Sequence, residues 1–203
     1  EFRRVRALLP EVSSLGEKLN SVLLTFGGGD DRGALVKVLD WLDRAGFEGS
    51  RVVLTTSMNP RLSELSVASK EQPKTELILD NWQPAPIMAQ CQLALCAGGT
   101  TLHELASVGV PAVVLAIADN QIAPGMAWDK AGLGIYLGML ASLDESQAEK
   151  KLSELLYDGT QRQVLAQRCW KTQDGLGAKR TAAALLSLAV SHGSAACQPE
   201  KKA

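Results

Sequence analysis

Val22-Leu23-Leu24-Thr25-Phe26-Gly27-Gly28-Gly29-Asp30 is a nearly unbroken apolar run of strand length that ends in three glycines and an acid. It lacks the polar alternation of a strand wetted on one face, so it reads as a strand over residues 22–26 covered on both sides. The glycines then mark a turn, and a helical period follows over residues 31–45. Outward from this unit the rhythm repeats. Residues 51–55, 76–79, 92–96, 111–116 and 134–137 read as strands, and 59–69, 85–91, 100–108 and 122–131 as the crossover helices between them. Right-handed crossovers place helices on both faces of such a sheet, so the predicted fold is α/β, a doubly wound parallel sheet of Rossmann-like kind. Three further helical stretches, 144–157, 160–170 and 178–191, close the chain, and residues 193–203 read as a flexible tail.

The 203 residues are 46% hydrophobic and 21% charged, which suits one globular domain. Lys and Arg number 21 against 22 Asp and Glu, a net charge of −1, so a nucleic-acid partner is not expected. Cys91, Cys96, Cys169 and Cys197 lack C-x-x-C spacing and read as free thiols of a reducing compartment, with no metal site expected. No run approaches the roughly 20 apolar residues of a membrane span, and no signal-peptide core follows Arg3, Arg4 and Arg6, so a cytoplasmic location is expected. The chain opens on Glu1-Phe2-Arg3 without a methionine and carries a polar segment around Gly16. Residues 1–20 therefore read as a linker and short helix from a missing N-terminal domain, and residues 21–192 as the folded unit.

In an open α/β sheet, ligands bind beyond the carboxyl ends of the strands, so the loops that follow the strands carry the functional reading. Gly27, Gly28, Gly29 and Asp30 open a helix, where bare backbone and helix N–H groups could approach a phosphate. The dinucleotide fingerprint is excluded because Arg32 stands where its third glycine belongs, and Thr55-Thr56-Ser57 replace the acid that would close the second strand. No G-K-[ST] follows, which excludes a Walker loop. Gly98, Gly99, Thr100 and Thr101 repeat the pattern at the start of the next crossover helix. One turn on, Glu104 could accept hydrogen bonds from a pair of sugar hydroxyls or could simply favour the helix dipole. His103 beside it would point elsewhere on the helix. Asp119, Asn120 and Gln121 could cap the following helix or hold a polyhydroxylated ligand. Trp82 could lie along a base or wedge its turn, whereas Trp41, Trp128 and Trp170 read as core or rim packing.

Together these loops resemble the C-terminal half of the GT-B glycosyltransferase-like superfamily, above all the UDP-sugar hydrolase family of pseudaminic acid biosynthesis and its spore-coat polysaccharide relatives. The resemblance runs through Glu1-Phe2 and Arg6, Thr25 to Asp30, Ala97-Gly98-Gly99-Thr100-Thr101-x-x-Glu104, Gly109-x-Pro111 and Asn120-Gln121, to Asp174-Gly175-x-Gly177-Ala178-x-Arg180. It implies that Gly27 to Gly29 and Gly99 to Thr101 hold a diphosphate, that Glu104 binds ribose hydroxyls and that Asn120 with Gln121 faces the hexose. It implies that backbone around Leu79 to Trp82 reads a uracil edge. The implied function is a nucleotide-sugar-binding domain for UDP or a UDP-sugar. In the hydrolase this domain serves cleavage of an activated amino sugar at its anomeric carbon; the alternatives are the donor-binding domain of an N-acetylglucosaminyltransferase-like enzyme or a non-catalytic binding module. No cofactor is implied. The histidine held to activate water in the hydrolase family lies in the N-terminal domain, so no catalytic residue is assigned here, and neither His103 nor His192 inherits that role.

Overall fold

Six strands, β1 (Ser21–Thr25), β2 (Ser50–Thr55), β3 (Thr75–Leu79), β4 (Leu93–Cys96), β5 (Ala112–Ala116) and β6 (Gly134–Met139), form one sheet in the order β3-β2-β1-β4-β5-β6. Every neighbouring pair is parallel. The computed structural model describes residues 1–10 and 19–195, with side chains as far as residue 189. The polar segment around Gly16, the His192 side chain, Cys197 and residues 196–203 lie outside that description.

The absence of polar alternation has a direct cause. Val22, Leu24, Leu93, Leu95, Val113 and Leu115 point into one core, while Leu23, Ala94, Cys96, Ala112 and Val114 point into the other. Both side-chain sets of each central strand are buried, so both are apolar. The first core is roofed by α2 (Ala34–Arg44), α3 (Leu62–Glu71) and α7 (Glu145–Tyr157), the second by α4 (Ala85–Gln90), α5 (Thr101–Ser107) and α6 (Ile122–Lys130). On α2, Leu35, Val38, Leu39 and Leu42 fall on one helical face and are buried. Each such leucine adds about 1.5–3 kcal/mol of burial free energy, before the entropy of ordering is set against it.

Two helix starts differ from the sequence reading. The first crossover helix begins at Ala34, not residue 31, because Arg32 (φ 55°) and Gly33 (φ 81°) take left-handed conformations that close a turn first. The second begins at Leu62, not residue 59, because the Asn59 side chain accepts from the Arg61 N–H (2.9 Å) and its carbonyl accepts from Leu62 N–H (3.1 Å). At the far edge β6 runs to Met139, past residue 137, through an irregularity between Val114 and Leu115 that Gly138 (φ 131°) accommodates.

The N-terminal helix α1 (Phe2–Arg6) docks on α4 and α5. Arg6 fixes it there, donating to Ser107 O (2.8 Å), Gln173 O (2.9 Å) and Trp170 O (2.7 Å) while its guanidinium lies 3.5 Å from the centre of the Trp170 ring. Burial pushes the Arg6 pKa down, and the charge of Asp174 offsets part of that shift. Helices α8 (Gly159–Thr172) and α9 (Gly177–Ala195) close the chain. The last helix thus runs past residue 191, into the stretch read as tail; no proline interrupts the sequence before Pro199.

Candidate functional site

Strand order reverses at β1, whose chain successor β2 lies on one side and β4 on the other. Thr25 pairs with Cys96 at the ends of these strands, so both glycine loops leave the sheet side by side at its topological switch point.

The glycines there serve different ends. Gly27 (φ 94°) turns the chain in a left-handed conformation, and its carbonyl accepts from Thr55 Oγ1 at 3.5 Å. Gly28 accepts from Thr56 Oγ1, and a Cβ on it would stand 2.8 Å from Thr56 Cγ2. At Gly98 a Cβ would stand 2.5 Å from the Gln121 carbonyl oxygen, so this glycine lets the loop after β4 close against the loop after β5. Gly29 and Gly99 differ from all three. Neither has a positive φ, and a Cβ on either would meet nothing within 4 Å. The folded chain has no use of its own for bare backbone at these two points.

The start of α2 does not offer the free N–H groups expected of it. Asp30 accepts from Arg32 N–H (2.8 Å); Asp31, almost wholly buried, accepts from Gly33 N–H (3.2 Å) and Leu35 N–H (2.9 Å). These donors are therefore satisfied within the chain. Asp30 also lies 3.9 Å from Arg61 Nε, a cation that the sequence reading did not pick out. At the N-cap of α5, Thr100 makes no side-chain cap hydrogen bond, and the N–H groups of Gly99, Leu102 and His103 donate to Ala97 O (2.9 Å), Gly99 O (3.2 Å) and Thr100 O (3.0 Å). Asp119, Asn120 and Gln121 form a 3-10 turn without the side-chain capping expected of them, and Gln121 Oε1 accepts from Ile117 N–H at 2.9 Å.

Glu104 is half-buried in the first turn of α5, and among the described residues its carboxylate accepts no hydrogen bond. Burial raises its pKa, and the nearby charge of Glu1 adds to the effect. Neighbouring acids of this edge are engaged: Glu1 Oε1 accepts from Ala85 N–H (2.8 Å) and Asp80 from Ser57 N–H (2.9 Å). His103 occupies the other flank of α5, exposed, its ring edge-on to Trp128 with centroids 5.1 Å apart. Trp82 is 89% exposed, so it does not wedge its turn.

The roles of Glu1 and Thr56 were not legible in the sequence. Thr55-Thr56-Ser57 drew notice there only for lacking an acid, yet the hydroxyls of Thr55 and Thr56 hold the carbonyls of the first glycine loop. The closing D-G-x-G-A-x-R motif is a turn: Asp174 accepts from Leu176 N–H (2.9 Å) and takes the Arg180 guanidinium in a fork (2.6 and 3.0 Å). Cys91, Cys96 and Cys169 are free and buried, their thiols pushed up to about 12, so they are unreactive. At the opposite end of the strands a cavity of about 600 Å³ opens beside Phe47, Lys74 and Tyr157. Its polar tips are spent, Lys74 on Glu48 O (2.9 Å) and Tyr157 on Ala45 O (2.6 Å).

No family model matches the sequence. The spore coat polysaccharide biosynthesis protein SpsG of Bacillus subtilis (strain 168) is 24% identical over 177 residues, covering 86% of this chain and 52% of its own length. The chain thus spans about half the length of the curated relative it matches. Among solved structures, MurG of Acinetobacter baumannii superposes with a TM-score of 0.66 at 14% identity, covering 89% of this chain and 52% of that one. WaaG, a glycosyltransferase involved in lipopolysaccharide biosynthesis, gives 0.63 at 16% identity, covering 86% and 47%. The UDP-GlcNAc 2-epimerase of Neisseria meningitidis, bound to UDP-GlcNAc, gives 0.60 at 15% identity, covering 91% and 48%. The six-stranded parallel sheet has the Rossmann-like fold of the C-terminal half of GT-B proteins. Among the described residues no helix is long and apolar enough to cross a membrane.

Proposed function

We propose that this GT-B-like domain is the donor-binding half of a glycosyltransferase of polysaccharide biosynthesis, taking a UDP-sugar in the crevice where β1 and β4 part. Residues 21–192 would be the binding domain, completed by a second domain that supplies the acceptor side. The observation that carries this is Glu104, a half-buried carboxylate without a donor, one turn from the bare backbone of Gly99. Water reaches this carboxylate, and the vicinal hydroxyls of a ribose would replace that water as donors.

The remaining roles follow from position. Backbone at Gly27, Gly28, Gly29, Gly98 and Gly99, with the hydroxyls of Thr100 and Thr101, would hold the diphosphate. Asp30 would act within the loop, since its carboxylate is already bonded to Arg32 N–H. Asn120 and the amide nitrogen of Gln121 would face sugar hydroxyls, the carbonyl of Gln121 being taken by Ile117. Backbone over residues 79–82 would read the base. In the transfer step an acceptor oxygen bonds to the anomeric carbon as the bond to the diphosphate oxygen breaks. The electron pair leaves with the diphosphate, where the hydroxyls of Thr100 and Thr101 would stabilise it.

Hydrolysis of an activated amino sugar is the second reading, with water in place of the acceptor. The order of motifs shared with the hydrolase family supports it; the likeness to WaaG, a glycosyltransferase, supports transfer. The test is calorimetric titration with UDP and with ADP. UDP should bind saturably and ADP weakly, and Glu104→Ala should lose most of the UDP affinity.

A further inference from the structure

A cleft of about 470 Å³ opens where α3 turns into β3, at the amino ends of the strands and so at the far end of the sheet from the glycine loops. Ser69 and Lys70 of α3 form one side, Thr75 and Leu77 of β3 the other, and Gln72 with Pro73 the turn between them. No residue of the donor crevice is among them.

Among the described residues, three buried polar atoms of this wall hold no hydrogen bond: Ser69 Oγ, Gln72 Oε1 and Thr75 Oγ1. Ser69 is only 7% exposed, and Thr75 stands level with Arg51 in the sheet register, on the face that α3 covers. Neighbouring side chains of this corner are engaged. Arg51 donates through its two terminal nitrogens to Phe47 O (2.6 Å) and Pro73 O (2.9 Å), and Lys74 donates to Glu48 O (2.9 Å). A buried polar atom without a partner is unfavourable, and three on one wall point to a ligand that supplies the partners.

The chemistry of the set selects the ligand class. The serine and threonine hydroxyls both give and accept, Gln72 Oε1 only accepts, and the Lys70 ammonium only donates. An anion would meet Gln72 Oε1 and the negative end of the α3 dipole, and a cation would meet Lys70. A neutral molecule carrying several hydroxyls satisfies all four groups, while Pro73 and Leu77 offer an apolar surface to the C–H face of a sugar ring. One χ1 step re-aims either hydroxyl toward the cleft, whose volume is that of a small-molecule pocket.

We propose that the α3–β3 cleft is a second saccharide site, which takes a neutral pyranose through Ser69, Gln72 and Thr75 with the ring against Pro73 and Leu77. It is separate from the donor crevice and does not rest on that reading.

The experiment is amide NMR of the full chain titrated with glucose, with N-acetylglucosamine and with inorganic phosphate, each in the absence and presence of UDP. At least one of the two sugars should give saturable shifts at the amides of Ser69, Lys70, Gln72 and Thr75, and UDP should not displace it. Ser69→Ala and Thr75→Val each remove an unpaired hydroxyl and should melt no lower than the parent, yet each should weaken the sugar about fivefold. Shifts from neither sugar would overturn the proposal. Shifts confined to the start of α5, saturation by phosphate alone, or sugar binding that neither variant weakens would overturn it as well. Sugar binding at α3–β3 in a protein that does not bind UDP would uphold this site and overturn the donor reading alone.

Discussion

Glu104 sets two properties against each other. Its folded-state pKa is raised, so the folded protein holds that proton more tightly than the unfolded chain does. Stability therefore declines as pH rises through the range in which the carboxyl ionises, and the loss persists at neutral pH. Glu104→Gln removes that ionisation, so the variant should melt above the parent at pH 7 and show a flatter profile of Tm against pH across the carboxylate range. The same change should weaken UDP binding by about 1–3 kcal/mol through loss of a charged acceptor. Hydroxyl donors favour the ionised form, so UDP affinity of the parent should fall as pH drops into that range, and the affinity of Glu104→Gln should not. A parent that melts higher than Glu104→Gln at pH 7 would show that the dipole of α5 outweighs burial.

At the scale of elements, the glycine loops divide into those the fold requires and those it does not. Gly98→Ala forces a Cβ against the Gln121 carbonyl oxygen, and overpacking of this kind costs about 1–3 kcal/mol; chemical denaturation should show it. Gly99→Val and Gly29→Val meet open space. They should melt within a few degrees of the parent yet lose UDP binding, because the side chain would stand where the phosphates approach. If Gly29→Val binds UDP as the parent does, the first loop does not touch the ligand. This distinction was invisible in the sequence, where Gly28, Gly29, Gly98 and Gly99 are four equal letters; only their neighbours Thr56 and Gln121 separate them. The strands, by contrast, were legible to within a few residues, because burial on both faces leaves its mark in residues such as Leu23 and Leu24 directly. Helix starts were less legible. A left-handed Arg32 and the backbone bonds of Asp31 and Asn59 shift them by three residues, and no periodicity records that.

Across the whole molecule, Arg6 supplies most of the polar bonds that join α1 to the domain, beside the Glu1 contact with Ala85 and the packing of Phe2 and Val5. The three carbonyl contacts of Arg6 and its stacking on Trp170 join the first helix to α5 and α8, and Asp174 beside them closes the turn into α9. Arg6→Ala should cost about 1.5–3 kcal/mol, which for a chain of this size lowers Tm by roughly 3–12 °C. A shift below 1 °C would mean that Glu1, Phe2 and Val5 suffice to hold α1. Asp174 is itself held down to about 2 by Arg180 and the Leu176 N–H. A depressed carboxyl adds stability above its unfolded range and loses it as pH falls toward 2, so the α8–α9 turn should survive mild acid. Arg180→Ala should move that loss to higher pH, as amide exchange at Leu176 would report. The sequence carried Arg6 and Asp174 as parts of a family resemblance; their physical reasons, the anchoring of α1 on α5 and α8 and the closing of the turn into α9, required the fold.

The site as a whole comes down to a single titration. UDP added to the parent protein in a calorimeter should give saturable binding that Glu104→Gln weakens at least fivefold and that ADP does not reproduce. UDP and ADP binding alike, or UDP binding untouched by Glu104→Gln, would contradict the placement of a uridine nucleotide across the start of α5.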